Sequence, residues 1–223
     1  MPTETRGSSR PLRSDARRNR EALLAAARTV FAARGVDAPL EAVAQHAGFA
    51  IGTLYRHFPT RDALLDVIVD EKLRAWVEFG EQAVARDDAW EGLVAYLEGI
   101  CALQAVDRAF NDVACGAVLA ADGSAPQRRR VADLVDQMLA RARQAGVLRA
   151  DFTVTDLALL VLANAGVAES TRSLRPTLWR RHLALALDAL RPAAAHPLTE
   201  PPATPTELQR ALVDPATAGP RRR

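Results

Sequence analysis

The chain has 223 residues, 49% hydrophobic and 25% charged, enough to bury one substantial core with a smaller domain beside it. A formal net charge of +2 says nothing by itself about nucleic acid, and no run of about 18 uninterrupted apolar residues occurs, so no membrane-spanning helix is expected. The first ten residues lack the apolar stretch and small-residue cleavage site of a secretory signal, which makes a cytoplasmic chain with no membrane partner the expectation.

Catalytic and metal chemistry leave no trace in the pattern. Cys101 and Cys115 have neither CxxC nor Cys/His spacing and read as two small buried hydrophobes. The histidines His46, His57, His182 and His196 are scattered, so neither a metal nor a cofactor is expected. A nucleophile elbow, a P-loop, a dinucleotide glycine motif, HExxH and a clear carboxylate pair are all missing, so the chain does not read as an enzyme.

In chain order, charge comes first. Residues 1–20 carry Arg6, Arg10, Arg13, Arg17, Arg18 and Arg20 against Glu4 and Asp15. Such a run is either an electrostatic arm or a solvated leader, and a flexible basic arm over 1–16 is expected. Leu23, Leu24, Ala27, Val30 and Phe31 then recur at helical spacing up to Gly35, predicting a helix from about Ser14 to Arg34. Pro39 suits a first helical position, and Leu40, Val43, Ala44 and Ala47 continue a short helix that Gly48 interrupts.

The next ten residues, Phe49 to Phe58, are too few for an independent helix but enough for one held by neighbours. Phe49, Leu54 and Phe58 can anchor inward, leaving Thr53, Tyr55, Arg56 and His57 to present groups suited to phosphates and base edges. Two short helices joined by a glycine-containing turn make a helix-turn-helix, whose second member enters the major groove.

From Arg18 to about Trp76 the chain resembles the N-terminal domain of the tetracycline-repressor (TetR) family. The resemblance rests on the basic approach to the first helix, the Ala-Gly turn, Gly52-Thr53-Leu54-Tyr55-Arg56-His57-Phe58 and the hydrophobic fourth helix. It implies a DNA-binding surface of Arg18, Ile51, Gly52, Thr53, Tyr55 and His57, with Arg61 as a phosphate clamp opening the fourth helix. Bland roles stay open: Thr53 as an exposed hydroxyl, Tyr55 with its ring packed on the first helix. Thr60 reads independently as a helix N-cap. Two departures weaken polar readout: Ala50 stands where the family commonly has Ser or Thr, and Ala38-Pro39 where it often has Thr. Base recognition then leans on backbone contacts, an Ile51 contact to a thymine methyl, and DNA shape.

The resemblance implies an all-α fold: a three-helix helix-turn-helix domain over 17–62, joined by a linker helix to a ligand-binding and dimerisation domain over 63–191. The partners it implies are double-stranded operator DNA, a second copy of the chain, and an unidentified small apolar effector. A protein-interaction module using the same surface on a protein partner is the alternative function.

Beyond residue 80 the residues themselves still predict helices. Trp90, Leu93, Val94, Leu97, Ile100 and Cys101 form one stripe; Phe110, Val113, Ala114 and Ala117 suggest another; residues 122–126 mark a break. Arg128, Arg129 and Arg130 open a helix through Met138 and Leu139 that ends at Gly146, and read as a solvated face. Trp90, Leu97, Cys101, Phe110 and Met138 are candidate effector contacts, although a plain core would contain the same residues.

Two leucine- and alanine-rich segments follow, Thr155 to Glu169 and Pro176 to Leu190. Leu157, Leu160, Val161, Asn164, Trp179, Leu183, Leu187 and Leu190 are expected in an intersubunit four-helix bundle, the alternative being ordinary core helices. From Pro192 to Arg223 the chain holds seven of its thirteen prolines, which predicts a disordered tail with room for a short helix around Thr206 to Leu212.

Overall fold

Helical spacing of apolar residues and three left-handed glycines set the order of elements in the computed structural model, which describes residues 9–111 and 126–213. α1 (Ser9–Arg34) buries Leu23, Leu24, Ala27, Val30 and Phe31 and stops at Gly35, whose φ of 83° suits only a residue without a β-carbon. The helix starts earlier than the expected Ser14 and takes up part of the segment expected to be a loose arm. Pro11 does not prevent this, because the N–H groups of a first turn have no intrahelical acceptor to lose.

α2 (Leu40–His46) buries Leu40, Val43 and Ala44; Pro39 lies just before it as the N-cap, not inside it as expected. Gly48, at φ 74°, reverses the chain into α3 (Ile51–His57). The hydroxyl of Thr60 accepts the Ala63 N–H at 3.1 Å and starts α4 (Arg61–Val84), the N-cap the sequence predicts.

α4 runs through two hydrophobic clusters. Leu64 and Ile68 pack with α1, α2, Leu54 and Phe58 in the first; Leu73, Trp76 and Ala83 belong to the second. The second cluster is built with α5 (Ala89–Val106), α6 (Pro126–Gln144), α7 (Val154–Thr171) and α8 (Leu178–Ala189). α4 packs on α5 and α6, while α5 also meets α7 and α8. Inside this core the indole N–H of Trp76 donates to the Tyr96 hydroxyl at 2.6 Å, and Phe110 tilts against the Trp76 ring at 5.6 Å. Gly146, at φ 67°, ends the turn after α6, and a capping box between Thr153 and Asp156 opens α7. The fold is all-α, as expected.

After α5 only a helical turn over 108–111 falls within the described residues; Val113, Ala114, Ala117, Cys115 and the break at 122–125 lie outside them. Arg130, expected on a solvated face, pairs with Glu81 of α4 at 2.8 Å. By length and composition α7 could cross a membrane, yet Leu157, Val161, Asn164, Ala165 and Ala168 are buried inside the fold.

Residues 192–213 correct the expectation of a disordered tail. A 3-10 turn (Pro192–Ala194) is followed by α9 (Pro205–Val213). The Arg149 guanidinium, nearly buried, donates to the His196 carbonyl at 3.0 Å and to both oxygens of Asp151, fixing the chain as it leaves α8. Thr204 and Glu207 exchange hydrogen bonds at the start of α9, and Leu208 is buried. Proline density stiffens this segment without preventing side chains from anchoring it. Residues 214–223, with the terminal arginines, lie outside the described residues.

Candidate nucleic-acid interface

α3 has only seven residues and no side-chain N-cap, since Ala50 has no acceptor; the Thr53 N–H closes on the Ala50 carbonyl at 2.9 Å instead. What holds it is packing: Leu54 is fully buried, Phe58 is 2% exposed, and Phe49 and Ile51 rest on the same cluster. The opposite side is open. Gly52, Tyr55 and Arg56 are exposed, Thr53 and His57 half-buried. Tyr55 is 45% exposed, which favours a ring facing outward over one packed on α1. Arg56, at the variable place of the Gly52–Phe58 motif, is exposed on this surface as the residue pattern expects, although the set implied by the resemblance leaves it out.

Ile51 and Arg61 sit differently from expectation. Ile51 is half-buried and turned partly into the cluster, leaving less of it for a thymine methyl. The Arg61 guanidinium donates to the carbonyls of Val36 and Ala38, the latter at 2.9 Å. It therefore ties the α1–α2 loop to α4 through one guanidinium nitrogen. Arg18, exposed, pairs with Asp15 on the same helix, and Arg20 lies over the Phe58 ring at 4.9 Å. Arg17, Arg18 and Arg20 thus carry the N-terminal positive charge along one helix beside α3.

The reading head is bolted to the rest of the chain at two places. Arg28 of α1 forms a two-pronged ion pair with Glu71 of α4, at 2.8 and 2.6 Å, which holds the Glu71 carboxyl below its ordinary range. Farther along, Ala109 is fully buried in the head's own cluster, although it follows α5 in sequence. Its neighbour Arg108 donates to the Ala33 carbonyl of α1 at 3.2 Å and pairs with Glu169 of α7. Asp107 pairs with Lys72 of α4, and Arg172 donates to Glu169 and, at 2.6 Å, to the Ala105 carbonyl. Burial raises the Glu169 carboxyl, but hydrogen bonds from Arg108 and Arg172 outweigh it and leave the group below its ordinary range.

Among the described residues the expected effector contacts do not gather in an open cavity. Leu97, Cys101, Phe110 and Met138 are all at most 3% exposed within the second cluster. Burial, with Glu98 adding to it, pushes the Cys101 thiol up to about 12, so it is a neutral hydrophobe. Trp90 alone borders a surface hollow of about 350 Å³, and Arg191 covers its ring at 3.7 Å. Among the described residues no cluster of His, Cys, Asp or Glu is placed to hold a metal ion.

The expected dimer residues also face inward. Leu157, Val161, Asn164, Trp179, Leu183 and Leu190 are buried within one chain, and Leu160 and Leu187 pack against the same cluster. Helical periodicity marks a buried stripe without saying which neighbour buries it. The other side of α7 is apolar too, with Leu159 41% exposed and Ala163 and Gly166 open beside it, while on α8 Leu185, 59% exposed, stands among Arg181, Ala184 and Asp188.

A seven-residue recognition helix carried on an otherwise helical body defines a helix-turn-helix DNA-binding regulator. Residues 23–68 match the model of the bacterial regulatory proteins of the tetR family, and residues 88–192 match the SbtR-like transcriptional regulator C-terminal domain. The chain belongs to the TetR family of transcriptional regulators. It is similar to the TetR regulator SCO0520 from Streptomyces coelicolor, at 31% identity over 78% of this chain and 99% of that one, with a TM-score of 0.51. A gamma-butyrolactone receptor (ArpA-like protein) shares the fold at 19% identity, covering 80% of this chain and 90% of that one, with a TM-score of 0.55. FadR from Bacillus subtilis, solved in complex with stearoyl-CoA, does so at 18% identity, 79% and 99% coverage and a TM-score of 0.54. No curated protein matches the chain.

Proposed function

We propose that two copies of this chain bind a palindromic operator, repress transcription there, and let go when a small molecule occupies the helical body. The exposed Tyr55–Arg56 pair on a recognition helix anchored by Leu54 and Phe58 is the observation that carries the reading. The contact surface is Gly52, Thr53, Tyr55, Arg56 and His57, with Arg17, Arg18 and Arg20 on the flanking phosphates and Arg61 holding the loop that positions α2. Backbone and shape recognition outweigh side-chain hydrogen bonds, because Gly52 and Ile51 contribute none.

Dimerisation supports the palindrome. α7 is apolar on both sides, and a helix of that kind is normally covered on both. Leu159, Ala163 and Gly166 on α7 and Leu185 on α8 are the faces a second copy covers, in a four-helix bundle that spaces two recognition helices about 34 Å apart. The relatives' ligands, a gamma-butyrolactone and stearoyl-CoA, belong to those proteins; here they support only a body that accommodates an organic effector.

Selection of random duplexes by the full chain, at several salt concentrations, tests the reading. Enrichment of a palindrome that Tyr55→Ala and Arg56→Ala both weaken is expected, with affinity falling as salt rises. Failure to enrich any duplex at low salt sinks it.

A further inference from the structure

Polar atoms buried without partners are rare in folded proteins and call for an occupant or a role. Three such atoms lie along one seam of this fold. Gln104 on α5 and Asn164 on α7 are both 0% exposed, and among the described residues the Gln104 Oε1 and the Asn164 Nδ2 have no hydrogen-bond partner. The seam is otherwise connected. Gln104 Nε2 donates to the Val161 carbonyl at 3.2 Å, one helical turn before Asn164, whose Oδ1 meets the His182 ring at 3.4 Å. Below them Asn111 donates to the Gln104 carbonyl at 3.2 Å, and its Oδ1 is the third orphan.

Around Gln104 and Asn164 the surroundings are apolar apart from the His182 ring, while Asn111 borders a hollow shared with Arg34, Asp37, Arg108 and Glu169. Leu97 and Cys101 precede Gln104 on the same face of α5, and Leu157 and Val161 precede Asn164 on α7, all essentially buried. None of the three amide side chains carries charge, and the orphans together offer acceptors and a donor. A carboxylate or an ammonium brought here finds no counter-charge on Gln104, Asn111 or Asn164, whereas a neutral group that both donates and accepts satisfies them.

We propose that the Gln104–Asn164 seam, with Asn111 at its lower end, is the polar centre of the effector site, and that its ligand is a neutral amphipathic molecule with a carboxamide or hydroxyl head. This rests on the reading of the chain as a ligand-released regulator and names the chemistry of that ligand. The location also supplies a route to the DNA. Asn111 lies two residues after Ala109, which fills the head's core, and three after Arg108, which reaches α1. A head group pulling Asn111 toward Gln104 draws on the segment that seats the reading head.

Titration of the full-length, 15N-labelled chain with hexanamide and with hexanoate tests it, read on the side-chain amide resonances of Gln104 and Asn164. Saturable shifts of both with hexanamide, and binding of hexanoate weaker by about tenfold or more, are expected. Gln104→Leu and Asn164→Leu should each weaken hexanamide binding by about tenfold. No saturable shift with hexanamide overturns the proposal, as does binding that both substitutions leave intact; the wild-type titration decides even if a variant fails to fold. Hexanamide that binds without releasing duplex keeps the site and removes the ligand-release reading. Duplex released by another molecule while both amides stay unmoved keeps that reading and removes the site.

Discussion

The head and the body of this regulator place their chemistry on opposite sides of their surfaces. The head is built from short pieces around Leu54, Phe58, Phe31 and Val43, and everything it offers a partner points outward: Tyr55, Arg56, the arginines of α1. The body is built from longer helices around Trp76, Tyr96 and Leu97, and its unused polar capacity, in Gln104 and Asn164, points inward. A surface that reads a polyanion must be solvated and charged; a site that selects a small organic molecule must be dry, so that a few amides decide affinity.

The contrast can be broken most severely at the body's outer face. Gly166 has open space where a β-carbon would stand, so Gly166→Arg leaves the single chain folded while placing a charge on the proposed dimer face. Sedimentation should show a monomer, and operator affinity should drop on the order of 10²–10⁴-fold as one of two linked contacts is lost. A dimer of unchanged affinity would put the interface elsewhere. Leu54→Ala attacks the head from within. Its side chain is fully buried, so about 2–5 kcal/mol of stability should disappear, seen as a lower denaturation midpoint, with loss of α3 before the body melts.

Smaller effects sharpen the same contrast. Arg56→Ala should leave stability unchanged and weaken operator binding by about 1–3 kcal/mol; a loss of stability instead would mean that the side chain belongs to the fold. Thr60→Ala removes the hydroxyl that accepts the Ala63 N–H and should lower thermal stability by about 1 kcal/mol.

The smallest effect lies at the junction. Glu169 titrates below its ordinary value in the folded chain, so its pairing with Arg108 and Arg172 contributes fully above the unfolded value of 4.5 and is lost as pH falls through the folded one. Both partners are substantially exposed, so Glu169→Gln should cost about 0.2–1 kcal/mol at neutral pH and flatten the acid limb of the stability curve.

Much of the head was legible in the sequence because its signals are local. Gly35 and Gly48 demand a left-handed backbone, Thr60 caps the helix that follows, and Leu54 and Phe58 alternate with exposed neighbours at helical spacing. The second role of Arg61 was hidden because nothing in its spacing reveals the carbonyls of Val36 and Ala38, which a tertiary turn brings to it. The body was legible as helices but not as surfaces. Leu157, Trp179 and Leu183 form the stripe that periodicity detects, and that stripe faces α5 rather than a second chain. The outward residues, Leu159 and Leu185, were hidden by being ordinary leucines in an apolar helix. The tail was legible only in part: the short helix around Thr206 to Leu212 was expected and is present, whereas the anchoring of residues 192–196 by a distant arginine, Arg149, leaves no mark in a proline-rich stretch.

The presence of Ala109 within the head's core means that the two halves are not interchangeable parts. A head cut off after α4 would keep its recognition helix but open a hole where that methyl group sits, and would lose the Arg108 link to α1. Grafting this head onto another regulator's body therefore requires carrying Arg108 and Ala109 along with it. Kinship by recombination of heads and bodies is correspondingly harder for this chain than its two-part outline suggests.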